Sequence, residues 1–291
     1  MEKVFVVILN YKGLEDTIEC IESLKKVKSK YNVSLVVVDN ASGDGSDDGI
    51  KDRFDDIIMI ESEANLGYSG GNNLGIRYAI EHEADYVIII NNDTIVEEDF
   101  IDGLVVNYDK DTGMCAPIIY YYDNKDDIWS SGGKYFKFKG SYSMTKGKID
   151  KPTEFDFASG CCFLVSRNIL ERVGLLPEEY FLYLEDTDFC YNIRKKGLKI
   201  KVVPQSKIYH KVSKSTGGKS PLNIYYSSRN KLIFILKNFE GIKRTYAFLV
   251  NYIIRIFRMI QYFLLREKKL SRAVLWALKD YKKIGKSTRK F

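Results

Sequence analysis

Apolar strand-like runs alternate with helical patterns, polar residues sit just beyond the run ends, and the charge changes sign near residue 242. Together these predict an α/β fold on a mostly parallel sheet, followed by a basic helical extension. The first run, residues 4–9, is ended by Asn10, Tyr11, Lys12 and Gly13. It is too short for a signal-peptide core and lacks a small-residue cleavage site, so it reads as a buried first strand of a cytoplasmic body. Ile18, Ile21 and Leu24 then share one face of a helix near 15–28. Residues 35–38 read as a second strand ending at Asp39, and 57–60 as a third. A Gly/Asn-rich turn at 65–73 leads into a helix near 70–82. Residues 86–90 form a fourth strand, ending at Asn91, Asn92 and Asp93. Continuous apolar strands need cover on both faces, and in such open sheets ligands bind at the carboxyl edge. Residues 120–150, rich in Tyr, Lys, Gly and Asp, read as a hairpin or a mobile loop.

The 291 residues suffice for one large domain or two, and a composition of 45% hydrophobic and 29% charged residues excludes wholesale disorder and a polytopic membrane protein. Five Cys without a Cys-x-x-Cys pair exclude a disulfide framework and a zinc ribbon. The net charge of +6 divides unevenly. Residues 242–291 carry 14 Lys+Arg against 2 Asp+Glu, and residues 1–241 carry 31 against 37. An acidic body at 1–241 is therefore joined to a basic tail at 242–291.

Within the tail, the apolar stretch 246–265 has about the length of a membrane span. Asn251, Arg255, Arg258 and Gln261 fall on one helical face of it. Two arginines near mid-span are costly, so the pattern predicts a helix lying in the interface, its arginines meeting anionic lipid. Packing on its own domain or on a second subunit is the plainer reading, and nucleic acid is disfavoured.

No Gly-x-Gly-x-x-Gly and no P-loop sequence occurs, which removes support for a nicotinamide dehydrogenase and a P-loop ATPase. Gly67 and Gly71 lie where backbone amides can approach an anion, or where a tight loop simply turns. Asp39 can accept from a nucleobase imide or cap a helix. Asp93 can hold a hard divalent cation on two phosphates, or belong to an Asx turn. Glu185 and Asp186, set between aromatic segments, offer a general base at a helix start, or merely an acidic first turn. His210 could complete a metal site with Asp93, or be structural.

In this order the segments Val-Ile-Leu-Asn-Tyr (7–11), Val-Val-Asp-Asn-Ala-Ser (37–42), Asn-Leu-Gly-Tyr-Ser-Gly-Gly-Asn-Asn (65–73), Asn-Asn-Asp (91–93), Leu-Glu-Asp-Thr-Asp-Phe-Cys (184–190) and Tyr-His-Lys (209–211) are specific. Over roughly residues 3–236 the chain resembles the inverting family 2 glycosyltransferases of GT-A fold, in their rhamnosyltransferase-like branch. The resemblance implies that Leu9, Tyr11 and Asp39 line a nucleobase pocket and that Gly67, Gly71 and Asn72 shape the nucleotide site. It implies that Asn92 faces the ribose, that Asp93 binds Mg²⁺ or Mn²⁺ on the diphosphate, and that His210 is a further metal ligand. Asp186 takes the place of the catalytic base, with Glu185 beside it, and residues 158–161 match a loop near the acceptor. Asn91 stands where the fuller motif of the family has a carboxylate, leaving fewer negative charges. The donor is then a nucleoside-diphosphate sugar, dTDP-rhamnose or a UDP-sugar. The acceptor is a glycan or lipid-linked saccharide, at the inner face of the membrane. A nucleotidyltransferase would want a basic Gly-rich loop after the first strand, where only Lys12 stands. A silent membrane scaffold would have no use for Asp93, Glu185 and Asp186.

Overall fold

Alternate residues of the first strand face two different cores. In β1 (Lys3–Asn10), Val4, Val6 and Ile8 join one apolar cluster while Phe5 and Val7 join the other. β2 (Asn32–Asp39) and β4 (Tyr86–Asn91) do the same, as strands covered on both faces must. The computed structural model describes residues 1–136, 141–212, 220–286 and 289. β1 pairs in parallel with β2 and β4, and β2 with β3 (Ile58–Glu61). The order β4-β1-β2-β3 reverses direction at β1, which opens a crevice beyond the ends of β1 and β4. Helices α1 (Leu14–Leu24), α2 (Ser46–Arg53) and α3 (Gly67–Glu81) form the crossovers.

The second half is mixed rather than parallel. After β5 (Thr94–Val96) and α4 (Phe100–Val106) come β6 (Thr112–Tyr121), β7 (Ile128–Ser130), β8 (Gly133–Phe136), β9 (Ser141–Met144), β10 (Thr153–Phe155) and β11 (Cys162–Ser166). α5 (Arg167–Val173), α6 (Glu185–Lys195) and β12 (Lys199–His210) complete the body. β11 runs antiparallel to both β4 and β6, while β12 is parallel to β6 and antiparallel to β5 and β10. The stretch 120–150 holds β7 and the separate two-stranded β8–β9 hairpin; residues 137–140 of it lie outside the described residues.

The tail is helical. α7 (Pro221–Asn238), capped by the Ser220 hydroxyl, carries α8 (Gly241–Leu264) and α9 (Lys268–Asp280). Leu232 of α7 packs with Val274 and Leu278 of α9, flanked by Phe248, Tyr252 and Ile256 of α8. One sequence expectation is corrected here. Asn251 and Arg255 do not face outward to lipid, because both are buried against α7. Arg255 Nε donates to Ser228 O at 2.8 Å, and Nη1 to Asn251 O at 2.8 Å. Arg258 and Gln261 are exposed, and the outward surface is mainly the apolar residues Ile253, Ile254, Phe257, Ile260 and Phe263. α8 is long and apolar enough to cross a membrane by length and composition.

Candidate active site

Each strand entering the crevice ends on a polar residue. Asn10 Nδ2, at the end of β1, donates to Asp39 Oδ1 at the end of β2 (2.7 Å) and to Ser46 Oγ (2.9 Å). The Ser42 backbone N–H donates to Asp39 Oδ2 at 2.9 Å, and its hydroxyl to Oδ1 at 2.6 Å. Asp39 is thus buried and oriented, with acceptor capacity left at Oδ2. Asn10, which orients it, was legible only as a strand terminator. Leu9 is half-buried beside this network, and Tyr11 is exposed.

The glycines of the 65–73 turn shape the crevice from behind. Gly67 has φ +75°, and a Cβ there would stand 2.2 Å from Phe181 O. A Cβ on Gly71 would stand 2.4 Å from Leu9 Cδ1. Both let α3 seat against β1 and the 181 loop. Asn72 is fully buried, its Nδ2 donating to Tyr68 O at 2.9 Å, so it too acts within α3. Asn92 turns its amide to Thr17 Oγ1 (2.9 Å) on α1.

At the end of β4, the next turn brings Asp93 against the last residue of β12. His210 Nε2 lies 3.2 Å from Asp93 Oδ1, both residues being buried. The Lys211 backbone N–H donates to Asp93 O at 2.9 Å, and Trp129 meets the imidazole edge-on with ring centroids 4.6 Å apart. A carboxylate oxygen and the imidazole Nε2 converging here suit a divalent cation completed by oxygens from a ligand. No group of three or more His, Cys, Asp or Glu able to hold a metal occurs among the described residues.

The second carboxylate group sits at the start of α6. Asp186 Oδ2 accepts from Gly160 N (2.9 Å), and Oδ1 from Thr187 N (2.6 Å). Gly160 lies close against Asp186: a Cβ there would stand 3.1 Å from Asp186 Cβ, a tight contact that presses on the carboxylate. Tyr68 of α3 donates to Gly160 O, which ties this loop to the glycine turn. Burial raises the Asp186 carboxyl, against the pull of the bonds from Gly160 and Thr187. Glu185 has no such donors to Oε2, and burial, then the charge of Asp186, pushes it up to about 8. The neighbours therefore divide: Glu185 protonated at neutral pH, Asp186 the better anion. Burial also drives the Cys161 and Cys162 thiols well up, which leaves neither as a nucleophile.

A doubly covered sheet, with a carboxylate at the first crossover edge, a second at the β4 end and a third opposite, is the arrangement that the family assignment has to account for. The profile described as Glycosyl transferase family 2 matches residues 4–174, and the chain belongs to that family. It is 29% identical over 245 residues to the low-salt glycan biosynthesis hexosyltransferase Agl10 of Haloferax volcanii, covering 80% of this chain and 75% of that protein. It is 25% identical to the dTDP-rhamnosyl transferase RfbF of Shigella flexneri (81% and 80% covered). It is also 25% identical to the N-acetylglucosaminyl-diphospho-decaprenol L-rhamnosyltransferase of Mycobacterium tuberculosis (72% and 76% covered). Among solved structures, GalNAc-T7 with UDP, GalNAc and Mn²⁺ superimposes with TM-score 0.64 at 17% identity, covering 81% of this chain and 48% of that one. The mannosyltransferase PcManGT from Pyrobaculum calidifontis, in complex with GDP-Man and Mn²⁺, gives 0.59 at 13% identity (96% and 86% covered). The chain is a family 2 glycosyltransferase with a GT-A-like fold, and rhamnosyltransferases are among the proteins it resembles.

Proposed function

We propose that the chain transfers a sugar from a nucleoside diphosphate, dTDP-rhamnose or a UDP-sugar, to a hydroxyl of a glycan or lipid-linked saccharide, with inversion. The names of the relatives support both halves of this reading, one carrying a dTDP-sugar and another a diphospho-lipid acceptor. The observation that carries it is the Glu185–Asp186 pair at the start of α6, with the Asp186 carboxylate oriented by the Gly160 and Thr187 N–H groups.

Asp186 accepts the proton of the acceptor hydroxyl as its oxygen bonds to the anomeric carbon. The bond from that carbon to the diphosphate breaks on the opposite face, so one displacement inverts the centre. Asp39 receives the nucleobase, with Leu9 and Tyr11 as its walls, while Gly67 and Gly71 shape the nucleotide site by letting α3 approach Phe181 and Leu9, the amides of Leu66, Gly67 and Tyr68 being taken by Asn40, Asn65 and Phe181. Asn92 lies toward the ribose. Asp93 and His210 would hold Mg²⁺ or Mn²⁺, which neutralises charge on a departing diphosphate. Residues 1–241 carry out this chemistry. Residues 242–291 hold the protein on anionic lipid at the inner face of the cell membrane. The exposed apolar face of α8, with Lys243, Arg244, Arg266, Lys268 and Lys269 beside its ends, supports that contact.

Asp186→Asn tests the assignment. Transfer should fall by about 10²–10⁴-fold, with nucleotide affinity by calorimetry unchanged. Turnover near wild type would remove Asp186 as the base.

A further inference from the structure

Three cations are buried in the helical unit, and one of them lacks a polar partner. Arg229 on α7 donates to Gly285 O at 2.8 Å and Tyr180 O at 3.2 Å, and Arg255 to Ser228 O. Lys231, one turn from Ser228, is 7% exposed and has no hydrogen bond or ion pair among the described residues. Its ammonium instead faces rings: Tyr142 at 5.0 Å, Phe234 at 5.7 Å and Tyr135 at 6.0 Å to the centroids. A second group of the same cage, the Tyr135 hydroxyl, is buried without a hydrogen-bond partner among the described residues. Ring faces favour a cation but do not replace the water or carboxylate an ammonium loses on burial. Burial, then Arg255, brings Lys231 down to about 7, the response of a charge left without an anion.

The cage adjoins the acceptor side of the site. Phe234 packs with Leu184, the residue that precedes α6. The Tyr142 hydroxyl is raised by burial and then by the charges of Asp186 and Glu185, so the ring that faces Lys231 also feels those carboxylates. The donor diphosphate has its own candidate partners, Asp93 and His210, at the strand edge.

We propose that Lys231 and the Tyr135 hydroxyl form an anion subsite that binds the phosphate of a lipid diphosphate-linked acceptor. This rests on Asp186 receiving the acceptor. A lysine ammonium binds phosphate as a point charge, and a phosphate oxygen would satisfy both orphaned groups at once.

The probe is farnesyl diphosphate, titrated by calorimetry into the full chain. It needs no turnover, so its outcome is separate from that of the Asp186→Asn assay. Lys231→Met should weaken binding at least about tenfold, while Lys231→Arg keeps most of it and Asp93→Ala leaves it unchanged. Equal affinity in wild type and Lys231→Met would overturn the subsite. So would loss in Asp93→Ala with Lys231→Met intact, since the diphosphate would then occupy the donor edge. Should Lys231→Met fail to fold by its melting curve, wild type decides: farnesol binding as tightly as farnesyl diphosphate overturns the proposal. Inorganic pyrophosphate competing as well as farnesyl diphosphate would show a free-phosphate site, and would overturn the lipid assignment.

Discussion

Two adjacent buried carboxyl groups, for which opposite tasks are proposed, differ in their donors. Asp186 has Gly160 N–H and Thr187 N–H, while Glu185 Oε2 has none. A glutamic acid raised to about 8 by burial binds a proton in the folded chain that the unfolded chain has already released above pH 4.5. The folded state then holds more protons than the unfolded state across pH 4.5–8. Stability must therefore fall as pH rises through that window, by at most about 1.4 kcal/mol per unit. Glu185→Gln should flatten that fall, seen as melting temperatures nearly independent of pH between 5 and 8. A slope equal to wild type would place the proton elsewhere. Gly160→Ala is the complementary change: its Cβ would press on Asp186 at 3.1 Å. It should lower kcat well over tenfold with little change in nucleotide affinity. At this scale the acids were legible, because a Glu-Asp pair among aromatics is conspicuous. Asn10 was not, because what it does to Asp39 depends on two strands that only the sheet brings together.

Whole elements were legible where one local rule decides them. The apolar runs of β1, β2 and β4 are visible because both faces are covered; the ends of β1 and β4 lie within one residue of the runs, while β2 begins three residues before its run, at Asn32. β11 is five residues long, and β12 is broken by a register shift between Val203 and Lys207, so neither full strand shows in local pattern. Helix periodicity shows which residues of α8 share a face, but not which face meets protein. Asn251 and Arg255 look like a solvent stripe until Ser228 O is placed opposite them. α3 is fixed by a different constraint, close approach to the sheet. A Cβ at Gly75 would stand 2.4 Å from Val7 Cγ1 and 3.2 Å from Val38 Cγ2. Gly75→Ala gains up to about 1 kcal/mol of helix propensity but overpacks the core by about 1–3 kcal/mol. A net loss of stability in denaturant unfolding is expected, with the glycine turn displaced and nucleotide binding weakened in step.

The molecule as a whole is polarised, with an acidic body and a helical unit whose outer surface is apolar between basic ends. The same unit buries Lys231 and Arg255 on its inner side, so the helix with the exposed apolar face and the proposed acceptor side of the site are joined by a few side chains. An acceptor confined to a bilayer is met most often by an enzyme held at that surface. A second copy fits the outer face poorly, because the basic residues beside it would repel their counterparts. Phe257 and Ile260 are 67% and 44% exposed, so charging them costs the fold little. Phe257→Glu with Ile260→Glu should keep the melting temperature and nucleotide affinity of wild type. Flotation with phosphatidylglycerol vesicles should fall at least about tenfold, since apolar insertion and the attraction of about 1 kcal/mol per basic residue act together. Wild-type binding should also weaken with salt and be slight on phosphatidylcholine alone. Unchanged flotation of the double variant, together with a dimer that it dissociates, would give the face to a second subunit instead.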